Sequence, residues 1–249
     1  MGSLSPPRPV VEVCDLVKDY RRAFSRRRFR AVDGVSLAAG PGEVLGLIGP
    51  NGGGKTTILK CLLGLLRPTS GVVRLFGLSP EEPEARARLG YLPEESPFPR
   101  VLNVEEALAF YACLAGIGRR ERRVEVPRLI ERVGLREARK RRIAELSKGM
   151  ARRFGLAQAL VGDPELIVLD EPTSGLDPLG TREFCALVAE ERLRGRTVLF
   201  SSHRIADTER TCDRVALIHR GRLVAHGPIQ AIAGADGLEA FFFRSIEGR

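Results

Sequence analysis

The sequence predicts an α/β fold, in which a parallel sheet carries a phosphate-binding loop at the C-terminal end of one strand and a helical lobe is inserted between strands. Three observations predict it. A buried-strand pattern, GEVLGLIG (42–49), runs directly into a glycine-rich turn and then into a helical pattern. Two more apolar strands, ELIVLD (165–170) and TVLFSSH (197–203), enclose a helical stretch at about 179–194. The block between about 97 and 160 has helical periodicity throughout. Strands alternating with helices imply a parallel sheet with ligand loops at the strand C-termini.

In chain order, residues 10–17 and 31–38 read as short strands joined by an arginine-rich loop, 21–30. The strand of GEVLGLIG is followed by a helix, KTTILKCLLGLLRP, expected to stop at Pro68. SGVVRLFG (70–77) is a further strand between turn residues. NVEEALAFYACLAG opens the helical lobe, with Asn103 as N-cap and acids in the first turn. RVALIHRGRLVAHG (214–227) reads as a hairpin-like pair, and GLEAFFFRSI near the end as a short helix. The resulting division is an N-terminal arm (1–9), one domain (10–230) with the helical lobe at about 97–160, and a C-terminal extension (231–249).

Composition narrows the function classes. The chain has 249 residues and is 43% hydrophobic, ordinary for a globular protein. Its longest apolar stretches, VLGLIG and ILKCLLGLL, are far shorter than the roughly 20 residues that span a bilayer, and MGSLSPPRPV lacks the apolar segment of a signal peptide. A cytoplasmic location is expected. Five scattered cysteines without CxxC spacing read as small apolar fillers rather than a disulfide framework or zinc site. The formal charge of +9 is concentrated in two stretches, +6 at 21–30 and +7 at 119–142, leaving the remainder net acidic. These read as a solvated basic face, next as attraction to an anionic membrane surface, and last as a nucleic-acid surface, since aromatics for base stacking are scarce.

Three segments carry chemistry. GPNGGGKTT (49–57) meets the pattern GxxxxGK[ST] through Gly49, Gly54, Lys55 and Thr56, with Pro50, Asn51, Gly52, Gly53 and Thr57 completing the loop. Backbone N–H groups there can wrap phosphates, Lys55 can neutralise the β and γ oxygens, and the Thr56 hydroxyl can bind Mg2+. LIVLDEP ends a strand with two carboxylates. Asp170 is placed to hold the metal shell, and Glu171 to act as general base on a hydrolytic water. His203, after VLFSS at another strand end, can bridge the γ-phosphate and that water.

With LSKGM (146–150) lying 20 residues before DEPTSGLDP, the chain resembles the ATP-binding cassette family, whose usual signature is LSGGQ. Leu146, Ser147 and Gly149 match, while Lys148 and Met150 depart. The resemblance spans about residues 10–230. It implies a P-loop NTPase fold: a RecA-like parallel-sheet core, an antiparallel β subdomain and an inserted helical subdomain. Ser147 looks like the N-cap of the helix KGMARRFGLAQALV, so its hydroxyl and the following N–H groups form a second anion site. In the family, that surface (Ser147, Lys148, Gly149) caps the γ-phosphate held by a second subunit.

The same resemblance implies further assignments. Tyr20 sits where the family stacks an aromatic on adenine, with Phe24 or Phe29 as alternatives. Asp177 matches the loop coupling the two sites of a dimer. Glu94, in GYLPEE, stands where the family has a glutamine that reaches Mg2+. The apolar residues Phe98, Val101, Leu102, Phe110 and Tyr111 suit either a socket for a permease helix or ordinary core packing. The implied function is an ATPase subunit, using ATP and Mg2+, that powers a membrane transporter of export type. Its implied partners are a separate transmembrane permease and a second copy of itself or a homologous cassette, with no specific nucleic acid. The alternative is a soluble cassette ATPase acting on DNA or ribosomes.

Overall fold

The computed structural model describes residues 8–21 and 28–247. Most of the predicted N-terminal arm, and the segment 22–27 with Phe24, lie outside the described residues. In chain order the elements are β1 (Val11–Arg21), β2 (Arg28–Ala39), β3 (Val44–Ile48), α1 (Lys55–Leu62), β4 (Ser70–Leu75), α2 (Pro83–Ala87), β5 (Leu89–Leu92), α3 (Val104–Leu114), α4 (Arg119–Arg132), α5 (Lys148–Ala159), β6 (Leu166–Leu169), α6 (Pro178–Leu193), β7 (Thr197–Ser202), α7 (Ile205–Thr211), β8 (Arg214–His219), β9 (Arg222–Pro228), α8 (Ile229–Ala233) and α9 (Gly237–Glu247).

They form two sheets: a three-stranded antiparallel sheet, β2-β1-β4, and a six-stranded sheet, β5-β6-β7-β3-β8-β9. In the larger sheet β5 through β8 are parallel, and β9 returns antiparallel to β8. The unbroken burial of β3, β6 and β7 follows from cover on both faces, which is why these strands read as apolar runs rather than alternating ones. One core, around Phe154, Phe184 and Phe200, joins the larger sheet to α3, α4 and α5. A second joins its opposite face to α1 and the antiparallel sheet. A third tucks α8 and α9 against β8, through Leu217, Leu238 and Phe242.

The structure corrects several sequence expectations. The first helix ends at Leu62 rather than at Pro68, because Gly64 turns into the left-handed region at φ 67°. The first two strands are longer than 10–17 and 31–38, since cross-strand pairing continues to Tyr20↔Phe29 and Arg21↔Arg28. β5 was not anticipated: four residues containing a glycine give too short a pattern, yet they pair in register with all of β6. The expected hairpin is present, with Arg220 and Gly221 both at positive φ, as a two-residue turn requires. Asn103 caps α3 as expected, in a reciprocal capping box with Glu106.

Candidate functional site

The loops after β3, β5, β6 and β7 all leave the same edge of the parallel sheet, because parallel strands place their C-terminal ends together. They converge on a cleft of about 820 Å³, whose lining includes Asn51, Gly52, Gly53, Gly54, Lys55, Thr56 and Thr57 from the glycine loop, Glu94, Glu171 and His203. Tyr20 and Phe29, paired across β1 and β2, line it too, so two aromatics belong to this cleft. The Tyr20 hydroxyl lies 3.5 Å from Thr57 Oγ1. Ser174 also lines it and was not singled out by the sequence.

The loop's backbone leaves no room for side chains at its start. A Cβ on Gly49 would lie 2.0 Å from the Ile218 carbonyl oxygen. The turn between β8 and β9 braces the loop further, with Gly221 N–H donating to Gly53 O at 2.8 Å. Lys55, buried at 5% exposure, folds its ammonium back into the loop and donates to Gly49 O at 2.7 Å and Pro50 O at 3.3 Å. Its Nζ also lies 3.5 Å from Glu171 Oε1.

The two acids differ in their surroundings. Burial pushes the Asp170 carboxyl above its usual range, opposed by the hydroxyl of Ser201, which donates to Oδ1 at 2.6 Å. Glu171 follows in the left-handed region, at φ 46°. Its Oε2 lies 2.8 Å from His203 Nδ1, while Oε1 is buried and makes no hydrogen bond. With Nδ1 given to the carboxylate, Nε2 of His203 remains to act on a ligand. A buried carboxylate oxygen beside a buried ammonium, with an oriented imidazole, can hold a phosphate chain and accept a proton from water. Among the described residues no three His, Cys, Asp or Glu side chains converge to cage a metal. Mg2+ in nucleotide sites is commonly held by one or two protein oxygens, with water and phosphate oxygens completing its shell.

Glu94 is exposed at the cleft's lip. Its carbonyl is held by Arg152, which reaches from α5 to Glu94 O at 2.5 Å and Pro93 O at 3.0 Å. Arg152 is itself 8% exposed; burial lowers its pKa and the charges of Glu94, Asp170 and Glu171 oppose that shift. Nothing local in the sequence marks this contact, because Arg152 is one of two adjacent arginines and its partners are distant along the chain.

Ser147, Lys148, Gly149 and Asp177 are not in the cleft. They line a separate depression of about 420 Å³. Ser147 caps α5, accepting from Met150 N–H at 3.3 Å, and Asp177 caps α6, accepting from Gly180 N–H at 2.9 Å. The Lys148 side chain lies across Gly175, where a Cβ would meet its Nζ at 1.8 Å. Of the predicted permease socket, Val101 and Phe110 are exposed, whereas Phe98, Leu102 and Tyr111 pack against the core around Phe154.

The family model for ABC transporters matches residues 32–174. A protein of Synechocystis sp., named as an uncharacterized ABC transporter ATP-binding protein, is 40% identical over 230 residues, 91% of this chain and 65% of that one. The Nod factor export ATP-binding protein I of Paraburkholderia xenovorans is 39% identical over 216 residues, 84% of this chain and 71% of its own length. The chain thus spans about two-thirds of these relatives. Among solved structures, an ATP-binding subunit of an ABC transporter superposes with a TM-score of 0.82 at 28% identity, covering 95% of this chain and 99% of that one. The cbiO1 protein of Clostridium perfringens, described as part of the ABC transporter complex cbiONQ, superposes with a TM-score of 0.80 at 26% identity, covering 90% of each chain.

Proposed function

The chain belongs to the ABC transporter family as an ATP-binding cassette, and from that premise we propose that it hydrolyses ATP to power a membrane transporter of export type. The observation that carries the reading is the meeting of Lys55, Glu171 and His203 in one cleft, with a buried Glu171 oxygen left without a hydrogen bond. The glycine loop from Gly49 through Thr57 would wrap the phosphates, and Lys55 would leave the loop carbonyls to neutralise them. Tyr20 would face the adenine, with Phe29 beside it. Asp170, Thr56 and Glu94 would hold Mg2+, which would supply charge neutralisation to the phosphates. Glu171 would take the proton of the attacking water, while His203 holds water and γ-phosphate in line.

A second copy, or a homologous cassette, would complete the site. Ser147, Lys148 and Gly149 form a helix N-terminus without acids in its first turn, suited to an anion held by another chain. Asp177 borders that surface and would couple the two sites. Closure on ATP and opening after hydrolysis would drive a separate permease between access states, with the chain peripheral on the inner face of the membrane. No helix among the described residues is long and apolar enough to cross a membrane. Export is supported by the name of the Nod factor relative. We read residues 10–230 as the cassette, 97–160 as its helical lobe, and 231–249 as an extension.

The test is Glu171→Gln, isolated from membranes of its native cell with Mg-ATP. The expected result is full ATP binding, turnover slowed by about 100-fold or more, and one polytopic membrane protein co-purifying in stoichiometric amount. Unchanged turnover removes Glu171 as base, and recovery of ribosomes or DNA instead of a membrane protein overturns the transporter reading.

A further inference from the structure

We propose that Ser201 is the positioning residue of the hydrolytic pair, one buried hydroxyl that fixes both the carboxylate of Asp170 and the backbone of Glu171. The proposal rests on the roles given to those acids above. Ser201 is the fifth residue of β7 and is fully buried. Its Oγ lies 2.6 Å from Asp170 Oδ1 and 2.9 Å from the Glu171 amide nitrogen.

With Asp170 ionised, as a metal ligand is, one proton arrangement satisfies these contacts. A backbone N–H can only donate, so Ser201 Oγ accepts from Glu171 through a lone pair. The single hydroxyl proton is then given to Asp170 Oδ1, which accepts as a carboxylate. This commits Oδ1 to the protein and leaves Oδ2 as the oxygen that Ser201 does not engage, available to a cation. One contact therefore sets which side of Asp170 meets the metal.

The other contact sets the aim of Glu171. At φ 46° that residue occupies a region that side chains disfavour, and such a turn persists only where neighbours hold it. The bond from its amide to Ser201 supplies that hold. From this backbone the side chain reaches His203 Nδ1 at 2.8 Å and stands 3.5 Å from Lys55 Nζ. Ser202 has a different, local duty: its Oγ accepts from Arg204 N–H at 2.9 Å and shapes the turn that presents His203. In the pair SSH, the first serine serves the acids and the second serves the histidine.

The test uses the full chain with Ser201→Ala, and Ser201→Thr as the hydroxyl-retaining control. Mn2+ affinity in the presence of ATP, read from the electron paramagnetic resonance of free Mn2+, is expected to fall by about 10- to 100-fold in Ser201→Ala. Ser201→Thr is expected to keep it within about threefold, the hydroxyl being present. Single-turnover phosphate release is expected to slow by about 10- to 100-fold on the unsubstituted background. On a Glu171→Gln background, with Mg2+ raised to saturate every variant so that metal affinity does not enter the rate, the same substitution should cost no more than about twofold, because the group it aims is already gone. Unchanged Mn2+ affinity, or an equal loss of rate on both backgrounds, overturns the proposal. If the unsubstituted chain releases no phosphate the ATPase reading fails, and the Mn2+ titration alone then decides the role of Ser201. Should Ser201→Ala not fold, Ser201→Cys, which keeps the size but only a weak donor, takes its place in both measurements.

Discussion

Gly49 is constrained by a neighbour distant in sequence: the Ile218 carbonyl stands where its Cβ would be, at 2.0 Å. Gly49→Ala must therefore push the glycine loop off β8. The expected cost is about 1–3 kcal/mol of stability, together with loss of ATP binding, read from urea unfolding and nucleotide titration. Wild-type binding in the variant would mean that the loop tolerates displacement. At this scale the sequence was legible wherever chemistry is written locally. The glycine spacing, Lys55, the acid pair and His203 could all be read from residue type and from their positions at strand ends. Ser201 and Arg152 could not, because their partners are 30 and 31, or 58 and 59, residues away and only the fold brings them together.

Among the elements, α3 illustrates what a sequence does and does not announce. Its capping box is local and readable from Asn103 and Glu106. The grip of Glu105 on the chain beyond α4 is not: its carboxylate pairs with Arg139 and with Lys140 Nζ at 2.7 Å. The Arg139 and Lys140 hydrogen bonds hold the Glu105 carboxyl down, to about 2 from a reference of 4.5. A depressed carboxylate stabilises the fold above its unfolded pKa and loses that contribution as pH falls through its folded value. Glu105→Gln is accordingly less stable than the unsubstituted chain above pH of about 4.5, with the gap closing toward pH of about 2. Urea midpoints across that window check it; a gap independent of pH would show that the pair contributes nothing through charge. Helix ends and short strands were the least legible elements. Gly64 ends α1 before Pro68 is reached, and β5 is a strand by virtue of its pairing with β6 rather than its own pattern.

At the scale of the whole molecule, the chain carries a nucleotide-sized cleft and, apart from it, a second depression formed by the starts of α5 and α6. Ion pairs bind the helical lobe to α6: Arg132 with buried Glu191, and, at the second depression, Arg153 with Glu183. Arg152 ties the same helix to the Glu94 loop at the cleft. Direct contacts thus link α5 to the lip of the cleft. Two anion-favouring surfaces on one chain make sense if the cleft holds this chain's nucleotide and the second surface serves the nucleotide of another subunit. The sharpest test is the mass of the Glu171→Gln chain by light scattering in saturating Mg-ATP. The expected species is a dimer that retains ATP and returns to a monomer when ATP is removed or Ser147→Arg is added. A mass that stays that of one chain with ATP bound would contradict closure of two copies around the nucleotide.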